Sequence, residues 1–423
     1  MILQTLKRVS MGLASAAAIW AGPVATAAPA PAAHWIGTWA AAPEPATPAL
    51  RGFPGSPSFS DQTIREIVRI SAGGARLRIR FTNVYGTRAL HIGAASIAVV
   101  GPNGEVRPGT ERAVSFAGKP GAWIPAGAPY LSDPIDLPVK ALTALSISLY
   151  LPADTGPCTC HATGRETAYV SGPGNYVDRP FKAVRTMTAR AFISGVSVET
   201  ARPAATIVAF GDSITDGVGA TLNENRRWPD LLADRLVARR GRVAWGVVNM
   251  GISGNRVLHD GAGASALRRF DRDVLSVPGV RYVIVFEGVN DLGISYGHFT
   301  GPLAKAFKML ATSRKATAAA IIAGYRQIIA RAHAHGIKVL GATITPYGGS
   351  AYYSPEGNAQ RELINRWIRT SGAFDGVLDF DAVWRDPSDP TRILPRLQRG
   401  DHLHGNDAGY RALANSIDLG LFK

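Results

Sequence analysis

Five apolar runs in the back half of the chain set the strongest limit on its fold: "TIVAF" (206–210), "VAWGVVNM" (243–250), "RYVIVFE" (281–287), "KVLGATI" (338–344) and "GVLDF" (376–380). Apolar residues follow one another in these runs instead of alternating with polar ones. Each run is therefore expected to be buried on both faces, as strands of a parallel sheet are. Stretches of helical period lie between them. "WPDLLADRLVARR" places Leu231, Leu232, Leu236 and Val237 on one side, and "AAAIIAGYRQIIARAHAHG" does the same with Ile321, Tyr325, Ile328 and Ile329 before stopping at Gly336. A last helix is expected near "GNDAGYRALANSI", capped by Asn406 or Asp407. The alternation predicts an α/β fold over residues 204–423, a three-layer α/β/α arrangement with a five-stranded parallel sheet.

The front half has another rhythm. "ARLRIRF" sets Leu77, Ile79 and Phe81 on one face and Arg76, Arg78 and Arg80 on the other. Short runs of the same kind follow, such as "LTALSISLYL" and "AFISGVSVET", with turns rich in Gly and Pro between them. An all-β sandwich of jelly-roll type is expected over residues 34–201. A chain of 423 residues with 46% hydrophobic content is long and apolar enough for two such cores. Trp35 and Trp39 are expected in the core or at the domain interface.

The extreme N-terminus reads as neither domain. "MILQTLKRVSMGLASAAAIWAGPVATAAPAPAAHW" combines Lys7 and Arg8, an apolar stretch of small residues and Ala25-Thr26-Ala27. That is the pattern of a signal peptide over residues 1–27, cleaved after Ala27 and followed by an Ala/Pro-rich tract over 28–33. The mature protein is accordingly expected to be secreted, extracellular or periplasmic, without stable membrane insertion. An exported chain can keep a disulfide, and Cys158 and Cys160 in "GPCTCHATG" can close a tight local one. Free thiols are the second reading. A metal held by the two cysteines and His161 is the third, although these give only three of the four ligands a tetrahedral site needs. The formal charge of +15 favours acidic surfaces, among them anionic polysaccharide. The arginines are scattered and no basic run is interleaved with aromatics, so nucleic acid is not an expected partner.

In an open parallel sheet the loops leaving the carboxyl ends of the strands build the site. Here they deliver Gly211-Asp212-Ser213, then "GISGN" from Gly251, "GVND" from Gly288, and finally "GDHLHGNDAGY" with Asp401, His402 and His404. A serine hydroxyl becomes a nucleophile when a histidine takes its proton, and a carboxylate holds that histidine in the right tautomer. Asp401, three residues before His404, can curl back to its near ring nitrogen, whereas His402 would point away. The backbone N–H groups of Ser213 and Gly251 and the Asn290 amide are expected to form the oxyanion hole. Asp212 and Asp216 are expected to organise the turn, and Asp407 to cap the last helix. His259 and His298 are expected near the rim as exposed loop residues.

These blocks, "GDSITDG", Gly251, "GVND" and "DHLH", resemble the signature blocks of the SGNH/GDSL hydrolase superfamily in order and spacing. The resemblance covers residues 204–423. The front half, beginning "WIGTWAAAP", resembles the β-rich domain of one secreted branch. It implies a serine esterase with Ser213 as nucleophile, Asp401 and His404 as partners, Gly251 and Asn290 in the oxyanion hole, and no metal or other cofactor. Gly405 departs from the pattern, since many relatives have proline after the histidine. Within that reading the substrate is an ester, with O-acetyl groups on carbohydrate set against lipid and aryl esters. Acyl length, oligomeric state and transfer to acceptors other than water stay open. A glycan-binding protein with a vestigial hydrolase half is the competing class, and a metal hydrolase is disfavoured because no HExxH pair is present.

Overall fold

The computed structural model describes residues 33–48, 55–101, 104–300, 304 and 314–423. The expected signal peptide and most of the Ala/Pro tract lie outside the described residues. The five apolar runs form one parallel sheet: β1 (Ala204–Gly211), β2 (Ala244–Gly251), β3 (Val280–Phe286), β4 (Lys338–Ala342) and β5 (Gly376–Leu378), in the order β2-β1-β3-β4-β5. The last two strands are shorter than their apolar runs, for local reasons. Asp379 ends β5 by capping a short helix, accepting from the Ala382 N–H at 3.3 Å. Beyond β4 the Asn365 side chain stands in for a neighbouring strand, bonding both the N–H (2.7 Å) and the carbonyl (2.8 Å) of Ile344.

The helices that position the site are α1 (Ser213–Asp216), α2 (Trp228–Ala238), α3 (Val289–Tyr296), α4 (Ala318–Ala334), α5 (Pro355–Thr370) and α6 (Asp407–Ser416). The chain crosses from β1 to β2 in one direction, then jumps back over β1 to β3 and continues outward. With right-handed crossovers, α2 lies on one face and α4 and α5 on the other. Packing agrees: α6 lies against α2, and α4 lies against α5 with Tyr325 and Trp367 stacked. The strand order reverses at β1 and β3, which opens a crevice beyond their carboxyl ends.

The front half is a sandwich of two antiparallel sheets. The first (His34–Ala40), eighth (Ile193–Thr200), third (Gly74–Thr82) and sixth (Pro129–Leu131 with Ile135–Val139) principal strands make one sheet. The second (Gln62–Arg69), seventh (Ala144–Leu151), fourth (Ala94–Val99) and fifth (Arg112–Ala113) lie in the other, which Ala168–Pro173 and then Ala183–Met187 extend to six strands beyond Gln62–Arg69. Apart from those two added strands, this is the strand order of a jelly roll. Leu77, Ile79 and Phe81 are fully buried between the sheets, as their alternation requires.

Two hydrophobic cores thus sit within a single compact unit running from Ala33 to Lys423. The sandwich covers β2, which would otherwise be an open sheet edge. Ser71 Oγ accepts from the Val247 N–H at 2.8 Å, and Thr206 Oγ1 from the Gly37 N–H at 2.9 Å. Gly37 and Gly246 approach so closely that a Cβ on Gly246 would fall 1.9 Å from the Gly37 carbonyl oxygen. Trp39 is buried in the sandwich core, and Trp35 takes the Arg78 guanidinium over its ring at 4.5 Å.

Candidate active site

β1 ends at Gly211, where a Cβ would lie 2.2 Å from Thr215 Oγ1, so the chain can fold tightly back only with glycine there. Asp212 caps α1, its carboxylate accepting from the Ile214 N–H at 2.9 Å, and left-handed Gly217 (φ 94°) closes the other end. "GDSITDG" is therefore a one-turn helix capped at both ends. The cap is Asp212, and Ser213 is the first helical residue. A residue at that position has no partner for its N–H within the helix.

Ser213 and His404, far apart in sequence, meet at 2.8 Å between Oγ and Nε2. His404 Nδ1 lies 2.7 Å from Asp401 Oδ2, and the other carboxylate oxygen accepts from the backbone N–H groups of His404 (2.9 Å) and Leu403 (3.0 Å). A ring nitrogen facing a carboxylate carries the proton, so Nδ1 donates and Nε2 is left to accept the serine hydroxyl. Partial burial alone would raise the Asp401 carboxyl. The His404 ring and the two backbone donors outweigh it and hold the group well below the ordinary carboxylate range. His402 takes a left-handed backbone (φ 60°), and its ring lies beside Gly349, not Ser213.

Gly405 fits its place for a reason absent from the sequence pattern. A Cβ there would lie 2.7 Å from Trp384 Cζ2 and 2.8 Å from Cη2. The loop is packed through that glycine against a fully buried tryptophan. Asn406, and not Asp407, caps α6, accepting from the Gly409 N–H at 2.9 Å. Asp407 instead binds the backbone N–H (2.8 Å) and hydroxyl (2.7 Å) of Thr221 and ties the loop beyond α1 to α6.

The expected oxyanion donors are differently placed. Asn290, on α3, is buried; its Oδ1 accepts from Tyr352 Oη and its Nδ2 donates to the Asn255 carbonyl, both at 2.9 Å. An amide nitrogen carries two hydrogens, so one of them is left for a substrate. The Gly251 N–H is already engaged, donating to Asn249 Oδ1 at 2.9 Å. A substrate oxygen would have to share that hydrogen or displace Asn249. Gly251 is also needed as glycine, because a Cβ would sit 2.3 Å from the Asp216 backbone nitrogen.

Beneath the rim lies an unforeseen hub, Arg269. Its guanidinium donates to the carbonyls of Gly211 (2.9 Å) and Met250 (2.7 Å), to Glu287 (3.2 Å), Asp273 (3.1 Å) and Asn255 (2.9 Å), and lies over Phe210. It thereby ties the ends of β1, β2 and β3 together. Around it, burial pushes the carboxyls of Asp212 to about 7 and Asp291 to about 6, and Glu287 well above its usual value. Asp291 accepts from Val257 N–H (2.7 Å) and Leu258 N–H (3.1 Å), which holds the loop after β2.

Asp216 does more than organise its own turn. Its Oδ1 lies 3.0 Å from His161 Nε2, and its Oδ2 accepts from Ser253 Oγ at 2.6 Å and from Thr163 Oγ1. His161 belongs to the sandwich, next to Cys158 and Cys160, which are joined in a disulfide. His259 is half-buried, and His298 is exposed with its N–H on the Ala351 carbonyl at 2.8 Å. Among the described residues no group of three His, Cys, Asp or Glu is arranged to hold a metal ion, and no helix is long and apolar enough to cross a membrane.

A hydroxyl, an imidazole and a carboxylate in series at the rim of a parallel sheet place this chain with the carboxylic ester hydrolases. Its family can be stated more closely. The model of the GDSL-like lipase/acylhydrolase family matches residues 209–412, and that part of the chain belongs to the family. Among solved structures, the chain is similar to a putative lipolytic protein of the G-D-S-L family from Desulfitobacterium hafniense (21% identity, 50% of this chain and 96% of that one, TM-score 0.35). It is also similar to a lipase/acylhydrolase from Enterococcus faecalis (22%, 50% and 93%, TM-score 0.36). A third is a catalytic mutant of an acetylxylan esterase from Geobacillus stearothermophilus (18%, 50% and 91%, TM-score 0.37). The search of curated proteins returned no match.

Proposed function

We propose that Ser213 is the nucleophile of an exported esterase that removes short acyl groups, O-acetyl groups on carbohydrate foremost, through an acyl-enzyme. The observation that carries the mechanism is the unbroken chain from Ser213 Oγ to His404 Nε2 (2.8 Å) and from Nδ1 to Asp401 (2.7 Å). Ser213 Oγ attacks the ester carbonyl as His404 Nε2 takes its proton. The imidazolium so formed is stabilised by Asp401, which stays ionised because its carboxyl is held so far down. The tetrahedral oxygen is received by the Ser213 N–H and the remaining Asn290 hydrogen, with Gly251 joining once Asn249 yields its share. His404 then protonates the leaving alcohol, and water repeats the cycle on the acyl group.

Export is supported by the N-terminal pattern cut after Ala27. A carbohydrate substrate is supported by that export and by the basic charge, +15 for the whole chain and +13 once Lys7 and Arg8 leave with the signal peptide, which suits acidic polymers. The test is a series of p-nitrophenyl esters of rising chain length, run beside acetylated xylan on enzyme recovered from culture fluid. Acetate and propionate esters should be preferred and acetate released from xylan, with Ser213→Ala lowering kcat by roughly 10⁴-fold or more. A preference for long chains with no acetate released would overturn the substrate. An active Ser213→Ala would overturn the mechanism.

A further inference from the structure

One buried ionic cluster joins the sandwich to the proposed active site. His161 is 4% exposed and Asp216 is 1% exposed. The His161 ring faces acceptors on both sides: Asp216 Oδ1 lies 3.0 Å from Nε2, while the Ala42 carbonyl (3.0 Å) and Glu44 Oε1 (3.3 Å) lie by Nδ1. A ring with acceptors at both nitrogens needs a hydrogen on each, so it is an imidazolium. Its place in the sandwich is fixed on all sides. Cys160 and His161 pair with Ala191 and Arg190, the Cys160 carbonyl accepts from the Glu44 N–H at 2.8 Å, and Cys158 is bonded to Cys160.

Asp216 carries that anchorage to two parts of the site. It closes the single turn of α1 that Ser213 opens. Its backbone packs directly against Gly251, and its Oδ2 accepts the hydroxyl of Ser253, two residues further along the oxyanion loop. The nucleophile's turn and the oxyanion loop are thus both held by one carboxylate.

We propose that His161 is a positioning residue of the hydrolase, supplied by the sandwich, whose cationic ring clamps Asp216 and so keeps Ser213 and the Gly251–Ser253 loop in register. This rests on the reading of Ser213 and the oxyanion loop given above. The sandwich then contributes to rate. Burial would lower the His161 ring, but Asp216 and Glu44 more than reverse this, raising it to about 10 and keeping the clamp charged at neutral pH.

The test uses the full chain with p-nitrophenyl acetate. Ser213→Ala must first abolish turnover. His161→Leu should then lower kcat by about 30-fold, with KM within about twofold of wild type, since small misplacements at a reacting centre act on rate more than on binding. His161→Gln, which keeps one donor toward Asp216, should recover most of the loss. Ser253→Ala should lower kcat in the same way, and His161→Leu with Ser253→Ala should lose much less than the product of the two single effects. A soluble His161→Leu with kcat within twofold of wild type, a loss confined to KM, or strictly multiplicative effects would overturn the clamp. If His161→Leu does not fold, an unchanged kcat in Ser253→Ala overturns it instead. An active Ser213→Ala would bring down the reading of the nucleophile and the clamp with it. Inactive Ser213→Ala beside unimpaired His161→Leu refutes the clamp alone.

Discussion

Arg269 shows how much of this site rests on a residue that does no chemistry. Its side chain is fully buried, and its donors are spent on two strand-end carbonyls, on Asp273 and Glu287, and on the Asn255 amide oxygen. Removing one partner of a buried ionic network leaves the others uncompensated, which costs about 3–5 kcal/mol. Arg269→Met should therefore lower unfolding stability by about that much in urea titration. A change under about 1 kcal/mol would show that the network does not hold the rim. Gly405 makes the related point that a side chain can be needed for its absence. The loop bearing His404 packs against Trp384 through Gly405, and only a residue without a Cβ fits.

At the scale of elements, the parts set by chemistry were readable in advance and the parts set by packing were not. Strand ends had to deliver a hydroxyl, an imidazole with its carboxylate and an amide, so Ser213, His404, Asp401 and Asn290 could be singled out from order and residue type. The sandwich was readable from the series of short strand-like runs, of which Leu77, Ile79 and Phe81 mark one buried face, and from the Gly- and Pro-rich turns between them. His161 was not, because "CTCH" looks local until the fold carries it to Asp216. Nor was the bond from the Gly251 N–H to Asn249, which depends on a side-chain rotamer. The His161 clamp has a consequence for stability. Its ring, raised to about 10 when folded and near 6.5 when unfolded, favours folding fully below about pH 6.5. That contribution is lost as pH rises through 10. Asp212 at about 7 and Asp291 at about 6 bind protons more tightly when folded, so stability also declines from about pH 4 to 7. The urea midpoint should fall between pH 7 and 10, and His161→Leu should flatten that limb. Equal slopes in the two proteins would contradict the assignment.

At the scale of the whole molecule, the sandwich is more than an appendage. It covers the open edge of the sheet through Ser71 and Gly37, grips the helical layer through Arg69 and Asp234 at 2.6 Å, and sends His161 into the site. The central claim remains that a single activated hydroxyl performs the reaction. Intact-protein and peptide mass spectrometry after treatment with a fluorophosphonate measures this most directly. The account predicts one adduct, located on Ser213, formed much more slowly in His404→Ala and missing in Ser213→Ala. An adduct on another residue, or labelling undiminished in Ser213→Ala, would contradict it.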